Sequence, residues 1–403
     1  MRALLITTAV LIAAPALAQN AETEFWGGPP EVPSYEPAFD DQWRAPIAES
    51  DVEIEQETVA DGLVFPWAME QLPDGRLLVT EKAGRMRVVS MDGTVSEPIA
   101  GLPEMVTTDQ GGLLDVKLAP DFPQTRELFF TFSQPREDGK NATAVARARL
   151  GEDAAALEDV QVIFQQQPAW DSTKHFGSRI VFEDVDTMWI GLGERSLPEP
   201  RELAQRIDNH IGKIVRIDRD GSVPQDNPFA EGPQGAAPEI WSYGHRNIQA
   251  MARHPGSGRL WSIEHGPQGG DEVNVPEPGM NYGWPVVSYG EEYGGGFIGE
   301  GAPRMEGMQE PAYYWSPVIA PSGAAFYEGD MFADWEGDLL VGGLVLKGLV
   351  RLEIDGERVA AEDRLVRGVG RVRDVLVAED GAILLAIDAE DGRIVRLTPK
   401  GGA

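Results

Sequence analysis

The sequence predicts an all-β chain, a six-bladed β-propeller with four-stranded antiparallel blades, on three observations. A turn that feeds a short alternating strand, followed by a glycine and a second such strand, recurs along the chain. Helical periodicity is nearly absent and is confined to residues 202–207 and 153–157. About 350 residues follow position 51, and at roughly 40–60 residues per blade they allow six to eight blades. Six suits the long turns between the strands.

The elements follow in order. Met1-Arg2, the apolar run from Ala3 to Leu17 and the small-residue site Ala16-Leu17-Ala18 read as a secretory signal peptide over residues 1–18. The run is shorter than the roughly 20 residues that a membrane span requires. Export to a periplasmic or secreted location is therefore expected, and a chain without cysteine fits a bacterial periplasm and carries no lipid-anchoring thiol. Residues 19–50, rich in Pro, Glu and aromatics, read as an N-terminal extended arm that either packs outside the domain or forms a loose leader. Residues 51–403 form the propeller. Its repeating unit is seen in Pro73–Thr80 with Gly84–Val89, Asp186–Gly191 with Gly212–Ile217, and Gly258–Ile263. It returns in Gly337–Val341 with Gly348–Leu352, and in Asp380–Leu385 with Gly392–Leu397. A propeller brings loops from distant positions to one axial funnel, so residues 110, 175, 246, 347 and 373 can share a site.

Charge excludes one class of function. With 66 acids against 34 bases the formal charge is −32, which argues against a nucleic-acid partner. The stretch Trp241–Pro285 holds two polar clusters, Gly244-His245-Arg246-Asn247 and Glu264-His265-Gly266-Pro267, then Asp271-Glu272 and Asn281-Tyr282-Gly283-Trp284-Pro285. Glycines admit a ligand close to the backbone, and carboxylates with bare carbonyls are what calcium selects. Two polar loops closing strand turns would look the same.

Five histidines limit the choice of a general base. His254 lies in an exposed turn, His210 at a strand end, and His245 and His265 could orient backbone. His175, at a loop–strand junction before Ile180-Val181-Phe182, is the best placed, and imidazole suits proton abstraction near neutral pH. Among the bases, Lys347 sits in a glycine-flanked loop. Arg371 and Arg373 alternate across Val372 and so share one strand face, and Arg246 could join them. Such a group suits a polyanionic small ligand. The alternative is that these bases neutralise neighbouring acids such as Asp374.

Taken together, the ordered motifs resemble the soluble pyrroloquinoline-quinone-dependent sugar dehydrogenases, the aldose sugar dehydrogenase (glucose/sorbosone dehydrogenase-like) branch above all. They are Asp109–Asp115, Lys174–Arg179, Gly191–Arg195, Gly244–Asn247, His265–Pro267, Asp271-Glu272, Asn281–Pro285, Pro321–Gly323 and Arg371–Asp374, in order over residues 55–398. The resemblance implies a periplasmic quinoprotein that oxidises an aldose at its anomeric carbon to a lactone, with pyrroloquinoline quinone and Ca2+ as cofactors. It implies an electron acceptor as partner, no membrane span, and a monomer or dimer. Carried over by position, His175 is the base and Arg246 stabilises charge on the quinone. Gln110, Asn247, Tyr293, Lys347, Arg371 and Arg373 hold or line the cofactor. The Gly266 and Pro267 carbonyls ligate the calcium that touches it, and Glu272 with the Tyr282 carbonyl resembles a second calcium site. Lys174 stands where the glucose-oxidising branch has Asp, Trp315 is offset from a sugar-stacking position, and Glu194 departs from the branch's Asp-Gln pair. Two other readings stay open. A calcium-dependent lactone hydrolase would place acidic and Asn side chains on a central metal. A non-catalytic binding propeller would lack His175 or Arg246.

Overall fold

The computed structural model describes residues 24–48, 50 and 52–401, and the signal-peptide expectation for 1–18 lies outside them. After β1 (Ile54–Leu63), the first blade is β2 (Pro66–Gln71), β3 (Leu77–Glu81) and β4 (Arg85–Val89). The second is β5 (Leu113–Leu118), β6 (Glu127–Pro135), β7 (Asn141–Leu150) and β8 (Leu157–Gln165). The third is β9 (Gly177–Phe182), β10 (Thr187–Leu192), β11 (Lys213–Asp218) and β12 (Ile240–Tyr243). The fourth is β13 (Ile248–Arg253), β14 (Leu260–Glu264), β15 (Asp271–Asn274) and β16 (Tyr313–Trp315). The fifth is β17 (Pro321–Phe326), β18 (Leu339–Gly343), β19 (Gly348–Asp355) and β20 (Arg358–Leu365). The sixth is β21 (Val372–Val377), β22 (Ile383–Ile387) and β23 (Gly392–Pro399), and β1 returns as its outermost strand. That pairing of the first strand with the last closes the ring. In the first blade the outer place is held by residues 95–99, through the Val89↔Val95 bridge and the Ile99 N–H to Met86 carbonyl bond.

The repeating unit visible in the sequence is the middle of each blade: Leu77–Glu81 with Arg85–Val89, and Ile383–Ile387 with Gly392–Pro399, are second and third strands. The inner strands β2, β5, β9, β13, β17 and β21 touch in sequence and close on themselves around the axis. Apolar side chains pack between neighbouring blades, as where Trp261, Ile263 and Val273 meet Leu339, Val341 and Val350. Each such buried side chain contributes about 1.5–3 kcal/mol. The expected helix at 153–157 is instead a turn, with the left-handed Ala154 donating to Gly151 before β8 begins. The expected helix at 202–207 starts earlier, at Pro198–Glu202, where proline at a first turn costs no hydrogen bond, and ends in a 3₁₀ turn at Leu203–Gln205. Residues 24–48 lie across the outer edges of the fourth and fifth blades. Trp43 stacks on Tyr314 and donates Nε1–H to the Ser316 carbonyl (2.9 Å), and Ile47 bridges to Glu362.

One irregularity recurs in all six blades. Every pairing of an inner strand with its neighbour slips register near the strand's entry: at Pro66/Ala68, Leu113/Val116, Ile190/Leu192, Ile248/Ala250, Pro321/Ala324 and Val372/Asp374. A bulge re-aims the side chain beside it, and here the re-aimed residues include Trp67, Asp115, Gln249 and Arg373. Arg179, two residues into β9, meets them at the axis. Its Nη1 lies 3.0 Å from Asp115 Oδ1 and 2.9 Å from Asp374 Oδ1, its Nε donates to the Gln249 carbonyl (2.7 Å), and its plane covers Trp67 at 4.3 Å. Asp115 also accepts from Ile180 N–H (2.7 Å) and Asp374 from Met69 N–H (2.8 Å). Gly323 is required beside them, because a Cβ there would sit 2.0 Å from Asp374 Oδ1.

Replacing Arg179 with Met strands two buried carboxylates and is expected to cost about 3–5 kcal/mol in urea unfolding at pH 7.5. Burial pushes the Asp374 carboxyl up to about 6, so the native state takes up a proton before the unfolded chain does. Without Arg179 the carboxyl holds its proton at still higher pH, so the loss should shrink as pH falls toward 6 and level off below it. A loss that stays constant between pH 7.5 and 5 would contradict this account of the axis.

Candidate active site

Two kinds of loop meet on one face of the ring: those that enter the inner strands and those that join second to third strands. They enclose a cavity of about 370 Å³ above Arg179. Gln110 enters it from the loop before β5, and Arg371 and Arg373 from the start of β21. Lys82, from the β3–β4 loop, and Asp388, from the β22–β23 loop, complete its polar wall, with Trp67 and Phe176 among its apolar surfaces. Arg371 and Arg373 both reach Asp388 Oδ2, at 3.2 and 3.4 Å, and Arg373 Nη1 donates to Gln249 Oε1 (3.1 Å). Lys82 Nζ donates to the Asp109 carbonyl (2.6 Å). Burial lowers the Lys82 ammonium below its usual range, with Arg373 and Arg371 adding to the effect and Asp388 opposing it. Arg373 Nε is buried with no partner. Three cations facing two carboxylates, Asp109 and Asp388, with an unused donor, suit an anionic guest.

His175 lies directly behind that wall, next to Gln110 and Phe176, and lines neither this cavity nor its neighbour. It is 7% exposed and holds a left-handed backbone (φ 49°). Its N–H donates to Gln110 Oε1 (2.8 Å), and its Nδ1 meets Glu194 Oε1. A carboxylate only accepts, so Nδ1 carries the proton and Nε2 keeps its lone pair. Burial, then the charge of Arg246, lowers the imidazole below its ordinary value, and Glu194 opposes them by hydrogen bond and charge. Close packing demands glycine at 193, where a Cβ would lie 2.1 Å from the His175 carbonyl.

A second, much smaller cavity adjoins through His265, which lines both. Arg246, Gly266, Pro267, Glu272 and Tyr282 surround it. Arg246 Nη1 donates to the His265 and Gly266 carbonyls (3.0 and 2.6 Å), and its guanidinium sits 5.0 Å from the Trp284 ring, with Nε unpartnered. Burial pushes the Glu272 carboxyl well up, with Glu264, Glu310 and Asp271 adding repulsion. Among the described residues no three His, Cys, Asp or Glu side chains cluster to hold a metal. A cation here would rely on carbonyls and the carboxylates of Glu264 and Glu272, a calcium-like donor set. The two calcium positions expected from sequence thus fall around one small cavity.

Other expected residues lie apart from these cavities. Asn247 is buried, its Oδ1 occupied by Gly177 N–H (3.2 Å) and Gln249 Nε2 (3.3 Å). Tyr293 is 71% exposed at the tip of the Glu291–Phe297 hairpin and lines neither cavity. Lys347 is exposed, in a turn whose Leu344 and Val345 form cavity wall. Trp315 is no sugar platform: it is 1% exposed and donates Nε1–H to Glu362 (2.9 Å). His245 is held between Glu264 and Ser242, His210 lies beside Glu239, and His254 is half-buried, not exposed, against Phe326. Sequence reasoning missed Lys82, Gln249 and Asp388, and saw Glu194 only as a departure. The signal available for Glu194 was a lone acid at the end of the apolar strand Thr187–Leu192.

Residues 63–396 match the family described as Glucose / Sorbosone dehydrogenase. The chain is 40% identical over 361 residues to the aldose sugar dehydrogenase YliI of Escherichia coli (strain K12), covering 89% of this chain and 95% of that one. The apo-form crystal structure of the soluble aldose sugar dehydrogenase from Escherichia coli is similar with a TM-score of 0.82 and 39% identity, over 86% of this chain and 100% of that one. A PQQ-bound aldose sugar dehydrogenase from Streptomyces coelicolor aligns with a TM-score of 0.71 at 28% identity, over 87% and 99% of the two chains.

The histidine environment makes a prediction independent of any reaction. NMR titration of ring-labelled histidine should place His175 below its usual value, neutral at pH 7. Glu194→Gln should move it lower still, because the carboxylate is the group that favours the protonated ring. A His175 that titrates above ~6.5 would contradict this.

Proposed function

The chain belongs to the glucose/sorbosone dehydrogenase family and is a sugar dehydrogenase, and from that premise we propose that it oxidises aldoses at the anomeric carbon to lactones. The observation that carries this reading is the juxtaposition of a neutral, carboxylate-oriented imidazole with a cavity walled by Lys82, Arg371 and Arg373. Pyrroloquinoline quinone, when bound, supplies the acceptor for the hydride leaving the sugar's anomeric carbon, and calcium supplies Lewis acidity at its carbonyl. The unused donors on Arg373 and Arg246 fit an anionic ring system, and the carbonyl-rich small cavity fits calcium.

In this mechanism His175 Nε2 takes the anomeric hydroxyl proton as the C–H bond breaks, and Glu194 steadies the resulting imidazolium. Arg371 and Arg373 would hold the cofactor's carboxylates, with Lys82 and Gln110 as further donors beside it. Arg246 stands between the two cavities, where its charge can offset negative charge developing on the cofactor. Gly266 and Pro267 would offer carbonyls to the calcium beside the cofactor, and Glu272 with the Tyr282 carbonyl would offer oxygen donors to the second one. Asn247 supports the site by fixing Gly177 and Gln249.

A lactone hydrolase on a central metal has less support, because the axial acids Asp115 and Asp374 are both engaged by Arg179. A binding propeller that has lost its chemistry has no use for the His175–Glu194 pair. Among the described residues no helix is long and apolar enough to cross a membrane. The leader at 1–18 supports export to the periplasm.

Apoprotein reconstituted with calcium and pyrroloquinoline quinone should reduce a dye in the presence of aldoses. His175→Gln should bind the cofactor normally, by absorbance titration, yet turn over about two to four orders of magnitude more slowly. Normal turnover in that variant would refute the base assignment. Calcium at a hundredfold excess over its Kd should stabilise the wild type by about 2.7 kcal/mol in thermal melts, a gain that chelation removes. Glu272→Gln should lose that gain while melting higher than wild type in chelator, since it removes a repelling buried charge. An undiminished calcium response would contradict the assignment.

A further inference from the structure

Arg195 is among the largest fully buried side chains, at 0% exposure, and among the described residues it forms no ion pair. Its Nε and Nη1 have no hydrogen-bond partner. Burying an unpaired guanidinium costs several kcal/mol, which an apolar side chain of similar volume would avoid. What the side chain does touch is Asn141 and, for the rest, one segment, residues 172–176. Its Nη2 donates to the Ser172 carbonyl and to Asn141 Oδ1, each at 2.6 Å. Ser172 Oγ donates back to the Arg195 carbonyl, and the Arg195 N–H reaches the His175 carbonyl at 3.4 Å. The guanidinium plane lies 3.8 Å from the centre of the Phe176 ring, and Phe176 forms part of the cavity wall. His175 sits between those anchor points in a left-handed conformation that a non-glycine residue adopts only when its surroundings hold it there.

We propose that Arg195 is a positioning residue for the reaction: it clamps the Ser172–Phe176 segment from behind, so that His175 and the Phe176 wall face the cavity in one fixed geometry. The proposal rests on the reading of His175 as the base. A misplacement of about 1 Å at a reacting group can cost 10²-fold in rate, so a clamp here has kinetic weight. Its charge has a second consequence. The groups that face the His175 ring are Glu194, which favours the protonated form, and Arg246, Arg195 and His265, of which Arg246 and Arg195 disfavour it. Arg195 therefore helps keep the imidazole unprotonated at neutral pH.

The test compares Arg195→Met and Arg195→Lys in the reconstituted enzyme, reading kcat, KM, cofactor titration and the pH profile. For Arg195→Met we expect kcat to fall about 100-fold with KM and cofactor affinity within about threefold of wild type. Its acid limb should move to higher pH, because loss of the nearby cation lets the imidazole hold its proton more readily. Arg195→Lys restores the charge without the planar fork. Its acid limb should return to the wild-type position while kcat stays about tenfold low. If Arg195→Met fails to fold, the lysine variant decides, and a wild-type kcat there overturns the proposal. A Met variant with wild-type kcat also overturns it, as does a loss of kcat with an unmoved acid limb. His175→Gln separates the two ideas: normal turnover in that variant defeats the base assignment itself. An inactive His175→Gln beside an indifferent Arg195→Met defeats only the clamp.

Discussion

Arg179 ties the inner strands together at the axis. Through Asp115, Asp374, the Gln249 carbonyl and the face of Trp67, it joins side chains or backbone of five blades. That contact exists because each inner strand slips register at its entry, turning residues that a regular strand would direct into a sheet face toward the axis. The same device sets the charge of the cavity. The molecule is strongly acidic, yet the two axial carboxylates are neutralised from below by Arg179. Above them, the three cations Lys82, Arg371 and Arg373 outnumber the two acids beside them, Asp388 and Asp109. A cationic chamber in an acidic protein is thus a product of where the acids are paired.

The base is governed by a balance of the same kind. Burial and the charge of Arg246 push the imidazole toward neutrality, and Glu194 pulls it back while fixing which nitrogen is free. Neither influence alone would serve, since a ring that is only desolvated lacks orientation and a ring that is only carboxylate-paired would hold its proton. Arg246 adds a link between the chambers. It disfavours the protonated ring and it already engages the Gly266 carbonyl, so charge at the small cavity and at His175 are felt through one side chain.

The sequence was legible where the chain is regular. Second and third strands, such as Leu339–Gly343 with Gly348–Asp355, sit between glycine turns with unbroken apolar alternation, and they revealed the blades. The inner strands were legible only in fragments, such as Ile180-Val181-Phe182 and Arg371–Arg373, because the bulges that build the site interrupt their periodicity. Pro66-Trp67 and Pro321-Ser322-Gly323 begin strands, although proline and glycine are turn residues by composition. Arg371 and Arg373 could be paired from their two-residue spacing, and both bind Asp388. The metal-pocket residues came from family resemblance, since carbonyl ligands leave no mark in side-chain chemistry. Lys82 and Glu194 escaped because a lone charge in a connecting loop has no pattern until the ring closes. Tyr293 was placed by resemblance alone, and it lies at an exposed hairpin tip outside the cavity wall.

The account stands on one chamber serving both the cations of the sixth blade and the imidazole of the third. A crystal structure of the protein soaked with calcium and pyrroloquinoline quinone tests this most directly. It should show a flat density above Arg179, its acidic edge on Arg371 and Arg373 in place of Asp388, its carbonyl edge toward Gly266 and Pro267, and one face open to His175 Nε2. Density bound elsewhere, with Asp388 still holding both arginines, would contradict it.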